Sequence, residues 1–285
     1  LGHGLPEKAD LFVWMKNMYF GVSKKKCQMD LLLDNKQFVI TGASAGFGRA
    51  IAKALMKEGA RVIAVARRKE KLHELKDEYG EKLIPVAGDV LQEETLSAVT
   101  EQIIPSAFYG LLLNSGGPPA KTFNETTMED WDRAYQSVFR WKVRLIQKTL
   151  PLLEKKQDGR ILLIESISAK QPVENLLLSN AIRLASVGMA KTLSNELLDK
   201  GVNINVLAPG YHDTDALHRI FVKKGEQTGQ SVEDVRKQFV SGLKKPIGKP
   251  EELATLALWL LSPLSRYVTG QTISHDGGRM QGVFG

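Results

Sequence analysis

The sequence predicts an α/β fold: a doubly wound, seven-stranded parallel sheet with helices on both faces, in a single domain. Three observations carry that expectation. From Leu31 onward, apolar β-branched runs alternate with segments whose apolar residues recur at helical spacing. Some runs, such as Leu111-Leu112-Leu113, are continuously apolar, as a central parallel strand buried on both sides requires. A glycine-rich turn, Thr41-Gly42-Ala43-Ser44-Ala45-Gly46-Phe47-Gly48, joins the first strand pattern to the first helical one.

In chain order, strands are expected at residues 37–41, 61–66, 83–87, 108–114, 160–165, 203–207 and 272–274. Helices are expected at residues 50–57, 69–79, 93–104, 128–153, 176–198 and 251–261. No internal repeat, low-complexity stretch or linker divides residues 29–285, which read as one domain. Residues 210–249 break the alternation. They are polar, carry two short helical patterns at 216–224 and 232–243, and follow the sixth strand. Ligands of open α/β sheets bind beyond the carboxyl ends of the strands, so this insertion reads as a substrate lid. A plain surface excursion is the alternative.

A chain of 285 residues can bury a full core without covalent staples. Cys27 is its single cysteine, which excludes an internal disulfide and a thiolate cluster, and no metal site is expected. The same scarcity fits a reducing compartment, and a cytoplasmic setting is expected. The net charge is +7, but apart from Lys24-Lys25-Lys26 the basic residues are scattered. They read as a solvated surface that favours an anionic ligand, with no nucleic-acid partner. No apolar run approaches the ~20 residues needed to cross a bilayer, so no membrane partner is expected. Residues 1–28 contain Leu11-Phe12-Val13-Trp14-Met15 and Met18-Tyr19-Phe20, separated by Lys16 and Asn17. They read as an N-terminal extension, either a native appended helix or residues that precede a natural start at Met29.

The glycine turn points to a dinucleotide. Gly42, Gly46 and Gly48 let the backbone turn sharply and a ligand press against it. The helix that opens there aims free N–H groups at a pyrophosphate. At the end of the second strand an acidic residue would select NAD by bonding the ribose hydroxyls. This chain has Ala66-Arg67-Arg68 instead. Guanidinium groups hold phosphate, so Arg67 and Arg68, with the Ser44 hydroxyl, favour NADP(H); ordinary solvated arginines at a helix start are the bland alternative. Asp89-Val90 ends the third strand, where the carboxylate can accept from the adenine amino group. Asn114-Ser115-Gly116 ends the fourth, where small residues allow close approach.

These segments, together with Pro209-Gly210, Thr214 and Asp276-Gly277-Gly278, resemble the short-chain dehydrogenase/reductase family in order and approximate spacing, from about Leu31 to the C-terminus. The resemblance implies a single Rossmann domain, an NADP(H) cofactor and a homodimer or homotetramer, with the helix at 128–153 as one contact. It implies that Gly42, Ser44, Phe47, Gly48, Arg67, Asp89 and Asn114 line the dinucleotide site, with Pro209 and Thr214 by the nicotinamide.

Members of that family use a serine to polarise the carbonyl oxygen, a tyrosine to move the proton, a lysine four residues later, and an asparagine on an earlier helix. Matching Gly159-Arg160-Ile161-Leu162-Leu163-Ile164 to the serine-bearing strand puts Ser166 at the serine position, with Ser168 as the competitor if the register slips by two. The tyrosine position then holds Ser179, the lysine position Arg183 and the asparagine position Val138. An aliphatic hydroxyl is a far weaker acid than a phenol, and arginine does not deprotonate. The usual proton path is therefore missing. Tyr211 and His212, or Asn180 and Lys170, are alternative polar groups. Residues 114–119 and 178–183 are similar to an offshoot described as 3-oxoacyl-[acyl-carrier-protein] reductase-like with an imperfect catalytic tetrad. Two readings follow. One is an NADP(H)-dependent oxidoreductase with altered proton chemistry acting on an unidentified small molecule, either a carbonyl or an activated double bond. In it, Ser166 orients the carbonyl and Arg183 holds the ribose. The other is a non-catalytic NADP(H)-binding sensor or scaffold.

Overall fold

The computed structural model describes residues 29–243 and 245–283. The extension expected at residues 1–28 lies outside the described residues, and a compact unit begins at Leu31. Seven strands form one parallel sheet: β1 (Gln37–Thr41), β2 (Arg61–Ala66), β3 (Leu83–Ala87), β4 (Phe108–Asn114), β5 (Gly159–Ile164), β6 (Val202–Pro209) and β7 (Thr272–His275). Their spatial order is β3-β2-β1-β4-β5-β6-β7. The order reverses at β1, where Val39 pairs with Ile63 of β2 on one side and Leu111 of β4 on the other. That reversal is the switch point at which open α/β sheets bind ligands.

Side chains alternate across the sheet into two cores. Phe38 and Ile40 of β1, with Leu162 and Ile164 of β5, face helices α1 (Gly46–Lys57), α2 (Lys69–Tyr79) and, near the C-terminus, Pro250–Leu261. Val39, Ile161 and Leu163 face the other layer: α3 (Glu93–Glu101), Trp141–Lys156 and Leu177–Glu196. Both faces of the central strands are thus apolar, which explains their unbroken hydrophobic runs.

The single helix expected at 128–153 is divided. α4 (Met128–Ala134) leads into a π-helical stretch, Tyr135–Arg140, and then α5 (Trp141–Lys156). Thr127 caps α4, its hydroxyl accepting from Asp130 N at 3.3 Å. A π-turn adds a residue to the helical circuit and commonly marks functional sites. Val138 sits within it, fully buried. α6 (Leu177–Glu196) packs alongside.

Residues 210–249 form the expected pair of helices, α7 (Asp215–Thr228) and α8 (Val232–Ser241), around a small core of Leu217, Phe221 and Val235. The ends of the insertion are joined. Gly248 N donates to Tyr211 O at 3.0 Å, and Asp213 N donates to Gly248 O at 2.8 Å. The chain then enters α9 (Pro250–Leu261). Among the described residues no helix is long and apolar enough to cross a membrane.

Candidate active site

At the end of β1, Thr41 clips two strand ends together. Its Oγ1 donates to Asn114 O at 2.9 Å and accepts from Asn114 N at 2.8 Å. Gly42 follows with φ +65°, and a methyl group there would fall 2.7 Å from Asn114 Nδ2. A methyl at Gly48 would run into the carbonyl of Gly42. These contacts leave room for nothing larger than hydrogen, so both glycines are structural necessities of the turn. Gly46 opens α1 at φ +51°, facing Thr214 Cγ2. The N-cap residue Ala45 has no side chain able to accept, so the first N–H groups of α1 are left for a ligand. Phe47 lies edge-on to the His212 ring, with centroids 5.0 Å apart.

At the end of β2, Arg67 and Arg68 are both exposed. Arg68 Nε donates to Ser44 Oγ at 3.2 Å, and its Nη1 lies 3.5 Å from Asp215 Oδ2 at the start of α7. Arg67 has no ion pair among the described residues. Ala66 is buried, so no carboxylate occupies the strand end. Asp89 Oδ1 accepts from Leu91 N at 3.1 Å, and Val90 packs on the second core. Among the described residues Ser115 Oγ is buried without a hydrogen-bond partner, and a side chain at Gly116 would meet open space. Pro209 is buried at the end of β6, and Thr214 caps α7 by accepting from Leu217 N at 3.4 Å. A dinucleotide with a 2′-phosphate suits these surroundings. The glycine cradle admits close approach, the arginine–serine cluster offers charge-assisted donors, and Ser115 holds an unused hydroxyl.

The candidate catalytic residues lie at the carboxyl end of β5 and along α6. Arg183 Nε donates to Ser179 Oγ at 3.1 Å, one helical turn away. Ser179 Oγ in turn lies 3.2 Å from Ser168 Oγ. Ser166, half-buried, accepts from Ser168 N at 3.1 Å and so braces its own turn. The hydroxyl that meets Ser179 is therefore Ser168. Behind them stands a group that the sequence did not single out. Glu165 Oε2 accepts from Arg183 Nη1 at 3.0 Å, and its Oε1 pairs with Lys142 Nζ of α5. Lys142 and Glu165 have no exposed side-chain surface, and Arg183 retains 7%. Burial pushes the Lys142 amine below the usual lysine range; Glu165 opposes that shift and the Arg183 charge adds to it. A lysine on the apolar stripe that contains Val138, Leu145 and Thr149 was the one sequence sign of this cluster.

The site is continuous with the cradle. A methyl at Gly117 would lie 3.2 Å from Arg183 Nη2, which places the loop after Asn114 directly on the guanidinium. Of the alternative polar groups, Asn180 and His212 are engaged elsewhere. Asn180 bonds both the N–H and the carbonyl of Val173, at 3.2 and 3.0 Å. His212 is 4% exposed, with Nδ1 3.2 Å from Gly210 O and Nε2 2.9 Å from His275 Nδ1. Tyr211 packs edge-on to Phe239 and beneath the Arg279 guanidinium. Burial lowers the Lys170 pKa, against the pull of Asp276.

Residues 42–279 match the family described as enoyl-(acyl carrier protein) reductase. The NADPH-dependent reductase BacG of Bacillus subtilis (strain 168) is 28% identical over 253 residues, covering 86% of this chain and 97% of its own. Among solved structures, L-sorbose reductase from Gluconobacter frateurii, complexed with NADPH and L-sorbose, superposes with a TM-score of 0.82 at 30% identity, covering 90% of this chain and all of its own. An NADPH-bound short-chain oxidoreductase from Pseudomonas aeruginosa PAO1, containing an atypical catalytic center, gives 0.75 at 28% identity, with 87% and 97% coverage.

Proposed function

This chain belongs to the short-chain dehydrogenase/reductase family, and we propose that it is an NADP(H)-dependent oxidoreductase interconverting a carbonyl and an alcohol without a tyrosine acid. The observation that carries the reading is the hydrogen-bonded chain Arg183–Ser179–Ser168, abutting the dinucleotide cradle through Gly117. Arg67, Arg68 and Ser44 hold the 2′-phosphate, Asp89 the adenine, and Gly42, Gly46, Phe47, Gly48, Asn114 and Gly116 line the rest. Pro209 and Thr214 flank the nicotinamide. When bound, NADP(H) supplies or accepts the hydride.

The direction of the hydrogen bonds gives the protein its part. Arg183 Nε must donate, so Ser179 accepts there; either hydroxyl of the Ser179–Ser168 pair can donate to the other, and in this reading Ser179 turns its proton toward Ser168. The Ser168 proton is then left to point outward. A permanent cation behind two aligned hydroxyls stabilises negative charge developing on a carbonyl oxygen, which Ser166 orients. The proton that completes the alcohol comes from water. The insertion at 210–249 closes over the substrate. The NADPH complexes of the sorbose reductase and of the Pseudomonas oxidoreductase support the choice of cofactor. A dimer or tetramer through α4 and α5, in a reducing cytoplasm, completes the reading.

The test follows NADPH and NADH absorbance against a panel of ketones, aldehydes and activated alkenes. Turnover of a carbonyl with NADPH preferred, a ~10²–10⁴-fold loss in Ser166→Ala, and loss of the cofactor preference in Arg67→Ala are expected. Equal use of the two cofactors would remove the NADP assignment. A rate unchanged in Ser166→Ala would remove the role of that serine. Tight NADPH binding without turnover on any substrate would favour a sensor.

A further inference from the structure

Arg183 is a guanidinium buried in the protein, and a buried cation is costly unless an anion and hydrogen bonds meet it. Glu165 meets it. The Glu165 N–H donates to Leu207 O at 2.8 Å, so its backbone continues the β5–β6 ladder by one residue beyond Ile164. The carboxylate therefore projects from a backbone position held in the sheet ladder. One oxygen takes Arg183 Nη1 at 3.0 Å and the other takes Lys142 of α5. Strand, α5 and α6 are tied at one point.

The consequence for Arg183 is geometric. Nη1 is held by Glu165, Nε by Ser179, and Nη2 faces Gly117. A planar guanidinium hydrogen-bonded at Nε and at Nη1 is fixed in its plane by two partners on different elements. Its Nε–H is aimed at Ser179 Oγ, which in turn lies 3.2 Å from Ser168 Oγ. Charge balance strengthens the constraint. With Lys142, Glu165 and Arg183 all ionised, two cations share one carboxylate, and removing that carboxylate leaves two buried like charges.

We propose that Glu165, with Lys142 bracing its second oxygen, is the positioning residue of this active site: it fixes Arg183, and through Arg183 the Ser179–Ser168 hydroxyl pair. The inference rests on the oxidoreductase reading above. Neither Glu165 nor Lys142 touches substrate; both act through the guanidinium.

Three variants test it: Glu165→Gln, Lys142→Met, and the two combined. Glu165→Gln should lower the melting temperature and reduce kcat about 10²-fold, with NADPH affinity and carbonyl KM little changed, as for a misplaced catalytic group. The combined variant removes the repulsion between Lys142 and Arg183. Its melting temperature should recover while kcat stays low. Recovery of both would show that Glu165 serves folding alone and would overturn the proposal. A second readout needs no turnover. In ¹⁵N NMR of the whole chain, the Arg183 Nε–H resonance, assigned by its disappearance in Arg183→Lys, should be protected from exchange in the parent and lose protection in the combined variant. Equal protection in both would also overturn the proposal. A parent protein with a protected Arg183 but no activity on any carbonyl would leave the positioning role standing and remove the oxidoreductase reading instead.

Discussion

Gly42 shows how little room the cofactor loop leaves. At φ +65° an L-residue is strained, at a cost of roughly 1–2 kcal/mol, and a methyl group would also press on Asn114 Nδ2 at 2.7 Å. Thr41 pins the Asn114 backbone through two hydrogen bonds, so the Asn114 carbonyl oxygen, 3.0 Å from the same methyl group, cannot retreat without loosening β1 from β4. Gly42→Ala is expected to weaken NADPH binding at least tenfold and to lower the melting temperature by several degrees, measured by fluorescence titration and thermal melts. Unchanged affinity would mean that the loop moves freely and is no preformed cradle. At this scale the sequence was informative where a residue type is forced by geometry. The glycines, Asn114 and the arginines after β2 all stand where the pattern of strand ends put them. Glu165 and Lys142 were not legible. A carboxylate after an apolar strand looks like a solvated strand end, and the place of Lys142 on the buried stripe of its helix does not say what it pairs with. Only the three-dimensional meeting of β5, α5 and α6 makes them a pair. The sequence offered Ser166 with Ser168 as its competitor two residues on, and in the structure Ser168 is the one directed at Ser179.

The insertion between β6 and α9 is best understood as an element with its own stem. His212 sits at the stem's closing bridge, stacked on His275 and edge-on to Phe47 of the glycine loop. Gly248 must lack a side chain there, since a methyl would lie 2.8 Å from the imidazole. With Nδ1–H donating to Gly210 O, His212 accepts at Nε2 from His275 Nδ1–H, an arrangement that requires neutral His212. Burial holds the His212 pKa below its ordinary value of 6.5; the Gly210 carbonyl pulls the other way and His275 adds to the depression. The unfolded or opened form therefore binds the proton more readily than the native one. The stem's stability is complete above pH 6.5 and is lost as the pH falls from there toward the depressed value. Hydrogen-exchange protection of Gly248 N–H should drop between pH 7.5 and 5.5, and His212→Gln should flatten that dependence. Protection that is constant in the parent over this range would remove the link between His212 and the stem of the insertion. Both helices of the insertion were legible from their apolar spacing, whereas the stem was not, because it joins residues 36 apart through backbone atoms and a buried imidazole. The break at Tyr135–Arg140 was equally silent: no proline or glycine marks it, and the apolar spacing runs on through it.

Across the whole molecule, the sheet separates what binds from what holds the fold. The glycine loop, the arginines after β2, Asn114 and the Ser168–Ser179–Arg183 chain gather at the carboxyl ends of the strands. The amino ends carry a different polar group, centred on Arg160 at the second position of β5. Its Nε donates to Ser262 O at 3.1 Å, just after α9, and its Nη1 donates to Gly159 O at 2.9 Å and Asp158 Oδ1 at 3.1 Å. The guanidinium also lies 5.5 Å from the Tyr109 ring, whose hydroxyl donates to the same aspartate at 3.0 Å. Arg160 thus joins β4, β5 and the end of α9. Asp158 is half-exposed, so the ion pair itself contributes little. The bond to the Ser262 carbonyl matters more: that oxygen also accepts from Ser265 Oγ at 3.0 Å, so loss of Arg160 removes one buried bond from a charged donor, about 1.5–3 kcal/mol, without leaving the carbonyl unpaired. Arg160→Met keeps most of the side-chain volume and removes the donors. It should lower the melting temperature by an amount consistent with that loss while leaving NADPH affinity within about twofold, because mutations without shared partners act almost independently. Calorimetry and cofactor titration on the same preparation measure both quantities. A parallel fall in affinity would show that the two ends of the sheet are mechanically coupled, and the division of labour between them would not hold.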